Sequence, residues 1–223
     1  IKDSKFFAGH SLGEYTALVC SGSLTIEKAS YLLHERGKAM QNAVLPGEGL
    51  MTAIIGMTIE EVEKEINLIP KSEICEIAND NTIGQVVVSG TKKGIEILND
   101  NLKKKKKRSI ILPVSAPFHC SMMKRASDKM KSEIENTVFL QPQPNIISNV
   151  TAKEENDSNI IKSLLIKQIT SRVRWRESIN YLIKGGVNNF LEIGPGKVLS
   201  GLVKKINKEV KVSTITSLDD IKA

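Results

Sequence analysis

Gly9-His10-Ser11-Leu12-Gly13 sets a serine between two glycines, after the apolar residues 6–8 and before a stretch, residues 15–20, that reads as the opening of a helix. In a strand-turn-helix of this kind the serine is held in a strained conformation that pushes its Oγ out of the sheet, where it can attack a carbonyl. Gly9 and Gly13 are expected to let the strand and helix backbones approach with no Cβ between them. The N–H groups at a helix N-terminus lack partners, so the Leu12 amide is a candidate donor to the oxyanion formed in that attack.

A neutral hydroxyl is a weak nucleophile, so Ser11 requires a base. The chain has three histidines. His10 lies beside the serine and so points elsewhere, as a packing or hydrogen-bonding group. His34 falls mid-helix among charged residues and is exposed. His119 follows Pro117-Phe118 in a loop at a domain boundary, where catalytic groups are displayed on a rigid scaffold, and is the candidate base. From the residues alone, Arg36 reads as a surface arginine whose stem covers apolar neighbours.

The elements that must position these groups follow from periodicity and breaks. A helix is predicted over 26–44, with Ala29, Leu32, Leu33, Met40 and Val44 at helical spacing and Ser23 or Thr25 capping it. Pro46-Gly47-Glu48-Gly49 is a break. Strands over 50–56, 74–78, 85–89 and 109–114, with helices over 58–66 (capped by Thr58) and 91–105, give the order β-α-β-β-α-β of a ferredoxin-like unit. Beyond it come a helix over 121–135, a strand over 145–149, a polar loop over 154–159, helices over 160–169 and 175–184, a strand over 187–193, and a helix over 197–206. The expected fold is α/β: a mainly parallel sheet with flanking helices and a serine nucleophile elbow, as in hydrolases, formed by 1–46 and 115–223. Residues 47–114 form the inserted ferredoxin-like subdomain.

Composition narrows the function. The chain has 223 residues and a formal charge of +7, much of it in the run Lys103-Lys104-Lys105-Lys106-Lys107-Arg108. That run has no interleaved aromatics on which bases could stack, so it reads as a solvated face and nucleic acid is not an expected partner. No apolar run is long enough to span a bilayer. Cys20, Cys75 and Cys120 are odd in number and lack paired metal-ligand spacing, so they read as reduced thiols with no metal site.

Taken in order, the elbow through Glu14-Tyr15, Arg36, Met51, Asn79-Asp80-Asn81, residues 84–90, residues 113–119 and Glu192-Ile193-Gly194-Pro195-Gly196-Lys197-Val198-Leu199 resemble the malonyl-CoA:acyl carrier protein transacylase family over essentially the whole chain. The resemblance implies a ping-pong transfer in type II fatty-acid biosynthesis. Ser11 would take malonyl from malonyl-CoA with His119 as general base, and the pantetheine thiol of acyl carrier protein would then accept it. It implies that the backbone carbonyl of Gln168 orients His119, that Leu12 supplies an oxyanion-hole amide, and that Arg36 pairs with the free malonyl carboxylate. Met51, Asn79, Asn81 and Phe118 would line the substrate site, Phe118 crowding an extra methyl. Malonyl-CoA is then a substrate and no cofactor is expected; the partners are coenzyme A and acyl carrier protein, with no membrane partner, and the enzyme is expected to be a monomer.

An acidic carrier protein and a polyphosphorylated coenzyme suit a basic rim, for which Lys124, Arg125, Arg172, Arg174 and Lys197 are the candidates. The family's upstream Gly-Gln-Gly segment, whose glutamine gives the second oxyanion donor, has no match here, so an N-terminally incomplete enzyme with impaired rate is expected. A serine hydrolase sharing the elbow, and an inactive scaffold that binds carrier protein, remain alternative readings. By analogy only, the Lys/Asn/Ile-rich composition suggests a parasite plastid, the apicoplast, with a cytoplasmic bacterial enzyme as the alternative.

Overall fold

A computed structural model describes residues 3–221. The chain opens with β1 (Phe7–Ala8), turns through the elbow into α1 (Leu12–Cys20), and continues to α2 (Ile26–Gln41), whose N-terminus is capped by the Thr25 hydroxyl. Then come β2 (Gly49–Ile55), α3 (Ile59–Ile66), β3 (Cys75–Thr82), β4 (Gln85–Thr91), α4 (Lys92–Lys104) and β5 (Arg108–Ile111). A 3-10 turn over Ser121–Met123 leads into α5 (Lys124–Asn136). The remainder is β6 (Ile146–Ile147), β7 (Glu154–Glu155), α6 (Ser158–Gln168), α7 (Trp175–Lys184), β8 (Asn189–Ile193), α8 (Val198–Ile206) and β9 (Lys211–Ile215). No helix among the described residues is long and apolar enough to cross a membrane.

The core is organised by a short parallel pair, in which Phe7 lies opposite Ile146 and Ala8 opposite Ile147. Successive strand residues point to opposite faces. Accordingly Phe7 and Ile146 join one cluster, with Tyr15, Leu18, Leu32, Met130, Ile134 and Leu165 from α1, α2, α5 and α6. Ala8 and Ile147 join another, with Trp175, Ile179, Leu202 and Val203 from α7 and α8. Ile146 and Ile147 are both fully buried, so helices cover the pair on both sides, as a parallel sheet requires.

The expected single, mainly parallel sheet is corrected. The described strands form three sheets, β1-β6-β7, β3-β4-β2-β5 and β8-β9, and the parallel pairs are β1–β6 and β8–β9. β1 ends at the elbow and β6 at the Ser148-Asn149 loop, so neither has the length to carry a ladder across the core. β8 and β9 meet that pair through side chains, Phe190 and Val212 packing against the same buried cluster as Phe6 and Ala8. The sequence reading assigns no element to β9 and a loop to β7; it gives the strand at 145–149 wider bounds than β6, and it starts the helix of 121–135 at the 3-10 turn and ends it one residue before α5 does.

Residues 49–111 form the four-stranded sheet, in which every neighbouring pair is antiparallel and α3 and α4 cross between strands separated by one neighbour. One face packs under its own helices, through Ile54, Val62, Val88, Ile95 and Leu98. The other carries Met51, Ala53, Ala78 and Val87 against Phe118 of the core. Thr58 and Glu61 form a reciprocal capping box at the start of α3. The strand predicted to stop at residue 78 runs on to Thr82. Its polar end stays extended because each group finds a partner. The Asp80 N–H donates to the Val173 carbonyl at 2.9 Å, the Asp80 carboxylate receives the Arg176 guanidinium at 2.8–3.1 Å, and Asn81 meets His10.

The two elbow glycines differ. A Cβ on Gly9 would land on the Gly13 carbonyl and the Glu14 nitrogen, whereas one on Gly13 meets nothing within 4 Å among the described residues. Only Gly9 is therefore required for the close approach. Gly9→Ala is expected to cost more than about 3 kcal/mol of stability. Gly13→Ala is expected to be neutral or to gain up to about 1 kcal/mol from helix propensity. Denaturant titration of the two variants checks this, and equal losses in both would overturn the distinction.

Candidate active site

Ser11 adopts φ 52° and ψ −102°, a left-handed conformation that a β-carbon disfavours. Two side-chain bonds hold it there: Asn149 Oδ1 accepts the Ser11 N–H at 2.7 Å, and Asn149 Nδ2 donates to the Gly9 carbonyl at 2.7 Å. The Asn149 N–H in turn donates to Glu14 Oε2 at 3.1 Å, so the loop after β6 and the first turn of α1 close around the elbow.

Ser11 Oγ lies 2.8 Å from His119 Nε2, and His119 Nδ1 lies 2.9 Å from the Gln168 carbonyl. A carbonyl only accepts, so Nδ1 carries the proton, Nε2 presents its lone pair, and the serine O–H donates to it. His119 is 5% exposed, at φ 60° in its loop. Burial, reinforced by the Arg36 charge, holds its pKa down at about 3 despite the Gln168 carbonyl, so the resting imidazole is neutral, as a general base must be.

Arg36 is not the surface residue its sequence position suggests. It is 7% exposed on α2, its Nη2 donating to Ser11 Oγ at 2.9 Å and to Gln168 Oε1 at 3.0 Å. Its guanidinium carbon lies 5.9 Å from the centre of the Tyr15 ring. Burial works against its charge, and Tyr15 and Glu14 favour it. The Gln168 amide also donates from Nε2 to the Ser11 carbonyl at 3.1 Å and to Glu14 Oε2 at 2.8 Å. Glu14 is 1% exposed, and burial pushes its carboxyl up to about 7.

The structure thus brings together Ser11, His119, Arg36 and the Gln168 carbonyl. The Leu12 N–H, at the first position of α1, makes no hydrogen bond among the described residues. The other candidates are dispersed. Asn81 Oδ1 accepts from His10 Nε2 at 2.9 Å, and Asn79 forms a backbone bridge with Val173. Met51 packs with Phe118, half-buried beside His119. His10, as expected, packs and bonds away from the serine, its ring 5.6 Å from that of Trp175. Asn149, Glu14 and the Gln168 side chain carry roles that sequence reading did not find. Glu14 lies in the first turn of α1, where an acid suits the helix dipole, and nothing local signals that it is buried.

The proposed basic rim is mostly engaged elsewhere. Arg174 pairs with Glu177 and donates to the Val150 and Thr151 carbonyls, Arg172 pairs with Glu63 and Glu177, and Lys124 pairs with Asp128. Arg125 and Lys197 are exposed and make no ion pair among the described residues.

Because His119 is neutral when folded and protonates near pH 6.5 when unfolded, its contribution to stability is complete above about pH 6.5 and declines as pH falls toward about 3. Between pH 7.5 and 5 the wild type should lose about 2 kcal/mol relative to His119→Gln, on the order of 1.4 kcal/mol per pH unit below the unfolded pKa. Parallel unfolding curves for the two proteins at both pH values check it; a gap independent of pH would show that the ring is not buried neutral.

Residues 3–221 match the acyl transferase domain model. The malonyl CoA-acyl carrier protein transacylase of Bacillus subtilis is 44% identical over 218 residues, 97% of this chain and 69% of the relative. That of Staphylococcus aureus strain MSSA476 is 42% identical, over 97% of this chain and 71% of the relative. The acyl-carrier-protein-S-malonyltransferase structure from Bartonella henselae superposes with a TM-score of 0.96 at 43% identity, covering 99% of this chain and 71% of that one. A type II PKS acyl-carrier protein in complex with its malonyl-transacylase gives 0.93 at 38% identity, covering 96% and 70%. With that extent of match, and the serine, histidine and arginine gathered at one elbow, the chain belongs to the acyl transferase domain family and, within it, to the malonyl CoA-acyl carrier protein transacylases.

Proposed function

We propose that this chain moves malonyl from malonyl-CoA to the pantetheine thiol of acyl carrier protein, in fatty-acid biosynthesis, with Ser11 as the covalent carrier. The observation that carries the reading is Ser11 Oγ held between His119 Nε2 at 2.8 Å and Arg36 Nη2 at 2.9 Å.

Ser11 Oγ attacks the thioester carbonyl while its proton passes to His119 Nε2, and the oxyanion faces the Leu12 N–H. The C–S bond then breaks, coenzyme A leaves with the proton from His119, and a malonyl ester remains on Ser11. In the second half the carrier-protein thiol gives its proton to His119, attacks the ester, and Ser11 recovers its proton as the thioester forms. The Gln168 carbonyl holds the ring in one tautomer throughout and steadies the imidazolium that forms twice.

Arg36 supplies the selectivity. A guanidinium buried beside the nucleophile pairs with the free carboxylate of a dicarboxylic acyl group, while an acetyl group leaves it without that partner. Pairing also withdraws the Arg36 charge that helps depress the His119 pKa, so the malonyl group itself makes the base stronger. Phe118, which packs against the cluster that includes Met51 and precedes His119, would crowd a methyl-branched unit, a preference worth about 1–3 kcal/mol.

The division into 1–46 with 115–223 as catalytic core and 47–114 as insert follows the sheet boundaries. The strand order of the insert, read within that unit as 2-3-1-4, supports a ferredoxin-like fold. Arg125 and Lys197 remain as the rim cations open to an acidic carrier protein. The hydrolase reading is disfavoured because His119 Nδ1 is met by a carbonyl and not by a carboxylate.

Incubation with malonyl-CoA followed by intact-mass measurement should show one malonyl adduct, absent in Ser11→Ala and discharged by thiol-bearing acyl carrier protein. Free malonate released with no adduct would indicate hydrolysis instead. Arg36→Ala should lower malonyl transfer by about 100-fold, the loss of a buried charge-assisted pair, and acetyl transfer by far less. Equal losses on both acyl groups would remove the carboxylate role of Arg36.

A further inference from the structure

Arg36 is buried, yet no carboxylate pairs with it among the described residues; the polar partners of its guanidinium are Ser11 Oγ and Gln168 Oε1. Its Nε is buried without a partner among the described residues. A buried guanidinium with no counter-charge is strongly disfavoured, so compensation must come from somewhere. It comes through one amide. Gln168 Oε1 accepts from Arg36 Nη2 at 3.0 Å, while Gln168 Nε2 donates to Glu14 Oε2 at 2.8 Å.

A carboxamide accepts at one end and donates at the other, so above about pH 7, where the Glu14 carboxyl is ionised, it spaces a cation from an anion. Glu14 is fixed for the task, because the same oxygen also takes the Asn149 N–H at 3.1 Å. The Gln168 backbone carbonyl has the separate duty of holding His119, so the role of the side chain can be altered without removing that contact.

We propose that the Gln168 side chain is a specificity-determining positioning residue: it couples Arg36 to Glu14 through a single amide, compensating the guanidinium at a distance and leaving it open to the free carboxylate of a dicarboxylic acyl group. This rests on the carboxylate-clamp reading of Arg36 given above. A glutamate at 168 would pair with Arg36 directly, and an incoming malonyl carboxylate would have to displace it, leaving a buried charge unpaired. With a carboxamide there, nothing charged is displaced. The amide also ties acyl selectivity to the elbow, since the same Nε2 donates to the Ser11 carbonyl at 3.1 Å.

The test compares Gln168→Glu with the exchange Glu14→Gln plus Gln168→Glu, which keeps one acid and one amide in the site but moves the acid onto Arg36. Ser11 acylation is measured against malonyl-CoA and acetyl-CoA concentration, with thermal midpoints for both variants. In Gln168→Glu the malonyl-to-acetyl ratio of kcat/KM should fall at least about tenfold, through a raised KM for malonyl-CoA. The exchange should restore the thermal midpoint toward the wild-type value without restoring that ratio. An unchanged ratio in Gln168→Glu, parallel loss on both acyl groups, or recovery of the ratio in the exchange would each overturn the proposal. Arg36→Ala run alongside separates the two levels. Equal losses there sink the clamp and the coupling with it, whereas a malonyl-selective loss there with an unaffected Gln168→Glu sinks the coupling alone.

Discussion

A serine backbone twisted to φ 52° does not persist unaided, and most of the molecule can be read as what holds it. Two bonds from one carboxamide, Asn149, tie both arms of the turn, taking the Ser11 N–H and giving to the Gly9 carbonyl. Asn149 stands where it does because β6 ends two residues earlier, paired in register with β1, the strand that runs into the elbow. The twist, the missing Cβ of Gly9 and the strand pairing are therefore one constraint. Shifting the β1–β6 register by one residue would exchange Ile146 with Ile147 between two cores and carry Asn149 away from Ser11.

The four-stranded insert contributes through the same economy of contacts. Its β3 strand bridges Val173, pairs Asp80 with Arg176 at the head of α7, and sets Asn81 on His10 within the elbow. Those contacts fix the insert at the strand end nearest Ser11. The opposite end of its second helix, where the lysine run lies, engages the core through none of them. His10 then has a structural role, with burial holding its pKa below the usual histidine value and Asn81 fixing its ring. His119, by contrast, rides the loop that leaves the insert, and Ser121 just beyond it is bound by Glu76 of β3 through both its N–H and its hydroxyl. The position of His119 is thus set by the insert as well as by the Gln168 carbonyl.

What was legible in the sequence is what local chemistry dictates. The strand-turn-helix path through Ser11, the capping residues Thr25 and Thr58 and the β-α-β-β-α-β order each rest on residues close together in the chain, and each is found. What was not legible depends on distant partners. Asn79-Asp80-Asn81 fall outside the strand predicted to stop at residue 78 because nothing nearby satisfies them, and they extend as strand because Val173, Arg176 and His10 do. Arg36 reads as a surface arginine because helical spacing says which face it is on but not what fills the space opposite. Glu14 and Asn149 carry no signal, since their function is to bond groups 135 and 138 positions away. The sheet was overread for the converse reason: alternating strands and helices imply a parallel sheet but do not fix how far each ladder runs.

The charges at the site explain why His119 is oriented by a carbonyl. A carboxylate at that place would favour the imidazolium, as in a triad, but it would also add a negative charge to the site in which Arg36 Nη2 and His119 Nε2 share Ser11 Oγ. That added charge would work against the entry of a malonyl carboxylate. The neutral Gln168 carbonyl orients the ring without adding that negative charge. The cost is a weakly basic histidine, held at about 3 by burial and by the uncompensated part of the Arg36 charge. That cost is smallest when a dicarboxylic acyl group is bound, since its free carboxylate supplies the missing negative charge when the base is needed. On the proposed function, the carboxylate that Arg36 recognises also relieves part of the depression of His119, the smaller part, since burial is its larger cause.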